Sequence, residues 1–243
     1  MIFNLTQPLI SSVPVLGKDF TWSGSDGTCL VIDDGDGNWR IKFLSSGTFT
    51  PLKDMTVDAF LVGGGGSGAV CLKPGISSGG GGGYTETFKK IELTANTEYY
   101  IEIGAGGYLN VTSGMNTPGV TGGTTKAFGK SVPGGKGGGN NTGSLKNGGD
   151  GGSGGGAPTG SGGVNGSDGT GDTAGSGQGK TTREFGEESG ELYSSGGNGD
   201  MANPSDGNPN TGDGGGGKPY YSIKTSSGGS GIVIIRKHKE AAA

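Results

Sequence analysis

The sequence predicts an all-β protein: a β-sandwich carrying a large glycine-rich insertion packed as polyglycine-II helices, with almost no α-helix. Three observations predict it. Glycine supplies 61 of the 243 residues, about a quarter of the chain where ordinary proteins have roughly 7%. Residues 20–103 read as short β-branched or alternating apolar runs, and no segment shows helical periodicity. After a long glycine-rich stretch the chain returns to "GIVIIRK", whose four consecutive apolar residues suit a strand covered on both faces.

The elements follow in order. Residues 1–19, with "FNLTQPLISSVPVL", form a weakly structured apolar segment suited to attachment. "TCLVIDD" and "NWRIKFLSS" are two strands joined at "DGDGN", a hairpin signal. "TVDAFLV" is a third strand, followed by glycine loops at 63–83; "YTETFKKIEL" and "TEYYIEIG" are two more, linked by the turn "TAN". Residues 104–231 carry most of the glycine runs. Residues 232–238 close the sandwich by pairing with "TVDAFLV" or "TEYYIEIG", and 239–243 are a tail.

Strands on both sides pin the insertion and favour order. Glycine loses the most freedom on folding, and fixing each backbone residue costs about 1–2 kcal/mol. A three-residue-per-turn extended helix has no internal hydrogen bonds, so such runs persist only when N–H and C=O groups bond to neighbouring runs. Collagen is excluded, because the Gly-x-y period never holds beyond a few triplets.

Several motifs invite a chemical reading. "AGSGQGKT" at 174–181 spells a phosphate-binding loop, yet no buried strand precedes it and no amphipathic helix follows. In so glycine-rich a chain the match is chance. "DDGDGN" places Asp34, Asp36 and Asn38 as in a calcium loop, but Trp39 stands where the sharp turn needs glycine and Ser45 where the loop needs glutamate. Asp33, Asp34 and Asp36 are turn residues, and Glu184, Glu187 and Glu188 a solvated face. Cys29 and Cys71 are two small buried side chains or a single disulfide. His238, the only histidine, sits in a charged, solvated tail and leaves the serines without a base. No catalytic residue, metal ligand or cofactor is assigned. The net charge of −4 argues against nucleic acid. No basic-plus-apolar export signal opens the chain, and no run of about 18 apolar residues could insert in a membrane.

The strings "IDDGDGNWRIKFLSSGTFT", "VDAFLVGGGGSG", "GGGGGYTETFKKIELTANTEYYIEIGAGG", "GQGKTTREFGE" and "GGSGIVIIR" resemble glycine-rich domain proteins of Gram-positive bacterial phages and prophages, over roughly Cys29 to Arg236. In architecture the chain is similar to tip adhesins of T-even-type phage tail fibres, where packed polyglycine-II helices carry host-contacting loops. It also resembles the glycine-rich domain of anaplastic-lymphoma-kinase-type receptors, a jelly-roll with such helices between its strands. These resemblances imply a jelly-roll-like form for the β-sandwich and a receptor-binding adhesin of a tail-fibre tip, located in the virion or released by lysis. Its partners would be a bacterial surface protein or glycan, met through loops, and other tail-fibre proteins, met through 1–19.

Between the glycine runs lie the apolar and aromatic residues the runs lack: Leu72, Ile76, Tyr108, Leu109, Met115, Leu192, Tyr193, Met201, Tyr220 and Tyr221. Displayed on loops, such side chains suit recognition of sugar or protein; turned inward, the tyrosines would cap the bundle or cover the sandwich. A tail component without receptor binding and a bacterial surface or matrix protein are the alternatives.

Overall fold

The computed structural model describes residues 13–71, 77–110, 116–140, 147–157, 182–199, 204–219 and 226–238. It is all-β; among the described residues the one helical element is a 3-10 turn, Glu184–Gly186. The strands are β1 (Phe20–Trp22), β2 (Cys29–Gly35), β3 (Asn38–Phe43), β4 (Gly47–Pro51), β5 (Met55–Val62), β6 (Val70–Cys71), β7 (Thr85–Leu93), β8 (Tyr99–Ile101), β9 (Thr125–Ala127), β10 (Lys130–Val132), β11 (Lys218–Pro219) and β12 (Ile232–Lys237).

Two of the sheets face each other. One is five-stranded, in the order β2-β3-β12-β5-β7; the other is three-stranded, β1-β4-β8. Phe20, Phe49 and Ile101 from the smaller sheet meet Ile41, Phe43, Val57, Ala59, Leu61, Val233 and Ile235 from the larger. The alternation along β3 follows: Trp39, Ile41 and Phe43 point inward while Arg40 and Lys42 point out. The predicted turn between β2 and β3 forms at Asp36 and Gly37, whose φ of 51° and 73° give the left-handed pair that two-residue hairpins need.

β12 is the central strand. It pairs antiparallel with β5 and with β3, so "TVDAFLV" is its partner and "TEYYIEIG" is not. One face packs into the main core through Val233 and Ile235. The other carries Ile232 and Ile234 against Phe60, Val62, Phe185 and Tyr193. Burial on both faces explains the unbroken apolar run.

Two departures from the sequence-based expectation lie inside 104–231. "TKAFGKSV" makes the β9–β10 hairpin, turning at Phe128 (φ 53°) and Gly129 (φ 71°). Its strands are three residues each, too short for alternation to register as a signal. Residues 182–193 form an arm lying on the outer face of the five-stranded sheet.

The glycine runs bond sideways in steps of three. From the 77–84 run, the N–H groups of Ser78, Gly81 and Tyr84 donate to the carbonyls of Gly139, Lys136 and Pro133. Those of Gly79 and Gly82 donate to Gly156 and Ser153, and those of Gly80 and Gly83 to Gly215 and Gly212. The 63–70 run does the same: Gly63, Gly66 and Ala69 bond to 77–84, Gly64, Ser67 and Val70 to 117–123, and Gly65 and Gly68 to 226–229. Successive residues thus face three directions, the threefold screw of polyglycine II. The carbonyls of 63–70 accept from three further neighbours, through Gly135 and Gly138, Gly107, and Gly215 and Lys218. Each central run has six neighbours.

That packing corrects the reading of 63–83 as loops of the sandwich. Both runs there are the two central members of the bundle, and glycine is required by space: a Cβ at Gly65 would run into the carbonyl of Asp213, and one at Gly80 into that of Gly66. Neither position has a positive φ.

Candidate functional site: the far end of the bundle and the arm on the sheet

The bundle has two unlike ends. At one, Gly63 follows β5, Tyr84 precedes β7 and Gly231 precedes β12; there Gly63 donates to Tyr84, Tyr84 to Pro133, Gly231 to Gly104, and the adjoining Gly83 to Gly212. At the other, β6 pairs with β11, Val70 bridges Thr117, and the thiol of Cys71 donates to Asn116 Oδ1 at 3.2 Å. There too Ser78 donates to Gly139, Gly139 to Asn147, Gly68 to Ser226, Gly216 to Ser205 and Gly217 to Asn198. The chain therefore leaves and re-enters this far end around each of 72–76, 111–115, 141–146, 200–203 and 220–225. Around 158–181 it leaves at the far end, where Gly156 donates to Gly197, and returns at Thr182 beside the sheet.

Of the candidate recognition residues, Leu72, Ile76, Met115, Met201, Tyr220 and Tyr221 lie outside the described residues, as do 174–181 and residues 1–12 of the attachment segment. Tyr108 is 64% exposed, on a run that reaches the far end, and Val120 on the adjoining run is 41% exposed. Leu109 is buried, so it packs within the bundle and is not displayed. Leu192 is exposed but belongs to the arm on the sheet.

Tyr193 is 3% exposed and covers the sheet, packing on Phe60 at 5.6 Å between ring centroids. The backbone at Thr182 and Tyr193 closes the arm into a hairpin, and Phe185, at φ 55°, turns its ring under the arm. The Tyr193 hydroxyl accepts from Lys42 Nζ at 3.0 Å and donates to Glu191 at 3.1 Å. Burial, then the charges of Glu184 and Glu191, push its pKa well above the usual phenol value.

Around this tyrosine the arm is riveted to the sheet by charge. Glu184 is 3% exposed and takes Arg40 at 2.7 Å and Lys42 at 3.5 Å. It was expected on a solvated face; instead it is a buried, doubly paired carboxylate, because two outward residues of β3, Arg40 and Lys42, are cations. Arg40 also grips Asp34 at 2.8 Å, Arg236 stacks on Phe185 at 4.1 Å from the ring centre, and Arg236 Nη1 meets Glu187 at 2.6 Å. The cleft between arm and sheet, about 270 Å³, is lined by these same paired groups. Chemically it fastens two elements.

His238 is likewise not a solvated tail residue. Its Nδ1 lies 2.6 Å from the buried carboxylate of Asp58, which also accepts the Lys90 amide at 3.1 Å and Arg236 Nε at 3.4 Å. Burial alone would raise the Asp58 pKa, but the His238 and Lys90 bonds and the charges of His238 and Arg236 outweigh it and hold it below the usual carboxylate range. Cys29 and Cys71 are free thiols rather than a disulfide. Among the described residues no three His, Cys, Asp or Glu side chains are grouped to hold a metal ion, and no helix is long and apolar enough to cross a membrane.

Fold and bundle together define a class: an all-β domain whose sheets anchor a laterally bonded bundle of glycine runs. A family model described as a glycine-rich domain matches residues 44–238, and the chain belongs to that family. No curated protein matches the chain.

Proposed function

We infer that the protein is a binding module without catalytic chemistry, a receptor-binding adhesin of a phage or prophage tail-fibre tip. In this reading the sheets are a jelly-roll-like base, as in the receptor domains the chain resembles, and the bundle is a rigid stalk. The single observation that supports it most is the common origin of 72–76, 111–115, 141–146, 200–203 and 220–225 at the bundle end opposite the sheets. Residues joined to a stiff scaffold at one end can contact a surface together, with little ordering cost on binding. They include the aromatic and methionine side chains that suit such contact.

The test is cell binding. The purified protein, labelled at an added terminal tag, is expected to bind a subset of Gram-positive strains saturably. Exchanging 111–115 and 220–225 for the corresponding segments of another glycine-rich domain protein should change which strains are bound. Absence of binding across a broad strain panel, with host range unmoved by the exchange, defeats the adhesin reading. Incorporation into virions without any cell binding would put the assembly component in its place.

A further inference from the structure

Among the described residues, the bundle's lattice is left open over the 133–140 run. The two central runs, 63–70 and 77–84, share two neighbours, 133–140 on one side and 212–219 on the other. Each shared run lies between two perimeter runs, with a hollow over it. On the 212–219 side that hollow is filled by this chain: Gly216 donates to Ser205, and Gly207 donates to Ser227 on the adjoining run. An extended, glycine-containing strand is therefore what such a hollow accepts.

On the 133–140 side no described residue fills the hollow, which is a groove of about 380 Å³. Pro118, Gly119 and Thr121 form one wall, Asn147 to Asp150 the other, and Lys136 to Gly139 the floor. The floor follows the three-residue rule with one set unused. Gly135 and Gly138 donate to the 63–70 run, and Lys136 and Gly139 to Asp150 and Asn147. The third set, Gly134 and Gly137, bonds to no described backbone group through either N–H or C=O. On the walls, the amides of Thr121 and Gly148 donate to no described backbone group either. The one charged pair at the groove, Lys136 with Asp150 at 2.8 Å, neutralises itself and favours an uncharged occupant.

From this continuity with the internal lattice we propose that the groove over 133–140 docks one more extended, glycine-containing strand, supplied by another chain. The strand would accept from the Gly137 N–H, as Ser205 accepts from Gly216 on the filled side. It would have to carry glycine where it comes closest to the bundle, as Gly207 does on the filled side, where a Cβ would run into the Asp213 carbonyl. The inference is separate from the adhesin reading, since the groove runs along the side of the bundle and reaches the far end only at Gly139 and Asn147.

The probe is a fluorescein-labelled peptide with the sequence of residues 77–84, SSGGGGGY, and its control is SSAAAAAY. With the full chain the glycine peptide is expected to bind saturably, the alanine peptide not, and the Gly137 amide to slow in hydrogen exchange when the peptide is present. Thr121 is exposed, so Thr121→Arg should fill the groove without disturbing the bundle and weaken binding by at least about tenfold, while Thr121→Ser leaves it unchanged. Should Thr121→Arg fail to fold, Pro118→Arg on the same exposed wall takes its place. A dimer of the chain that Thr121→Arg converts to monomer would also support the proposal, and would name a second copy as the donor. A Gly137 amide already protected in the isolated monomer would overturn it, because the chain would then be filling its own groove. Equal binding of both peptides, no saturable binding, or no effect of Thr121→Arg would overturn it as well.

Discussion

Glycine plays two separate roles in this chain, and they fail differently on substitution. At Gly65 the backbone φ is unexceptional, but a Cβ would collide with the Asp213 carbonyl, and Gly65 is itself held by its bond to Gly229. At Gly27 there is open space, and the constraint is a φ of +73°. Gly65→Ala is therefore expected to cost about 3 kcal/mol, as overpacking of a rigid interior does, and Gly27→Ala about 1–2 kcal/mol; urea melts of the two variants give the comparison. Tyr193 yields a second prediction at this scale. Its folded pKa is raised, so the stability it contributes is complete below the ordinary phenol value near 10 and is lost as pH climbs beyond it. Stability measured at pH 8 and pH 11 should fall less in Tyr193→Phe than in the parent, although the variant starts about 1 kcal/mol lower for its lost hydrogen bonds. Burial likewise pushes the Cys29 thiol up to about 11, which predicts slow alkylation of Cys29 by iodoacetamide at pH 8 in the folded protein.

Among the elements, β12 bears the most. It closes the five-stranded sheet, presents a core on each face, and ends in the Asp58–His238–Arg236 cluster. Asp58 sits at the bulge where the β5–β7 register shifts, and its carboxylate catches the amide of Lys90, which has φ +56°. Asp58→Asn is expected to destabilise by about 3 kcal/mol, because it leaves Arg236 without its buried counter-charge and disturbs the bond to His238 Nδ1. The Asp58 pKa is depressed on folding, so its contribution is present above the unfolded carboxylate value near 4 and is lost as pH falls below it. The parent should then lose more stability than Asp58→Asn between pH 5 and pH 3, read by thermal melts. Much at this level was legible in the sequence: the β2–β3 hairpin from "DGDGN", and β12 as a doubly covered strand from "IVII". The arm at 182–193 was not, because its few apolar residues, Phe185, Leu192 and Tyr193, show no period, and its glutamates look solvated until β3 supplies Arg40 and Lys42 from 144 and 149 positions away. His238 was missed for the same reason: its partner Asp58 is 180 residues distant.

At the scale of the whole molecule, stability is graded from the centre of the glycine bundle outward. Order in the glycine runs was foreseeable, since strands bracket them; which runs lie inside was not, because identical residues carry no inward or outward face. Neighbour number decides it. The 63–70 and 77–84 runs have every lateral direction filled, whereas perimeter runs such as 117–123 bond to fewer neighbours and leave amides such as Thr121 facing outward. Opening a central run breaks bonds to six others at once, so its amides should exchange only through near-global unfolding, and perimeter amides through local opening. Hydrogen exchange followed by mass spectrometry is expected to rank Gly66, Gly80 and Gly81 with the β5 and β12 amides as the slowest, and outward amides as the fastest. Because the far end rests on this interior, replacing 111–115 or 220–225 with unrelated polar residues should leave the central protection and the melting temperature nearly unchanged. A gradient running instead from sheet to far end, with Gly79 exchanging much faster than Gly83 along the same run, would mean that the bundle frays from its tip and cannot act as a stiff support for what it carries.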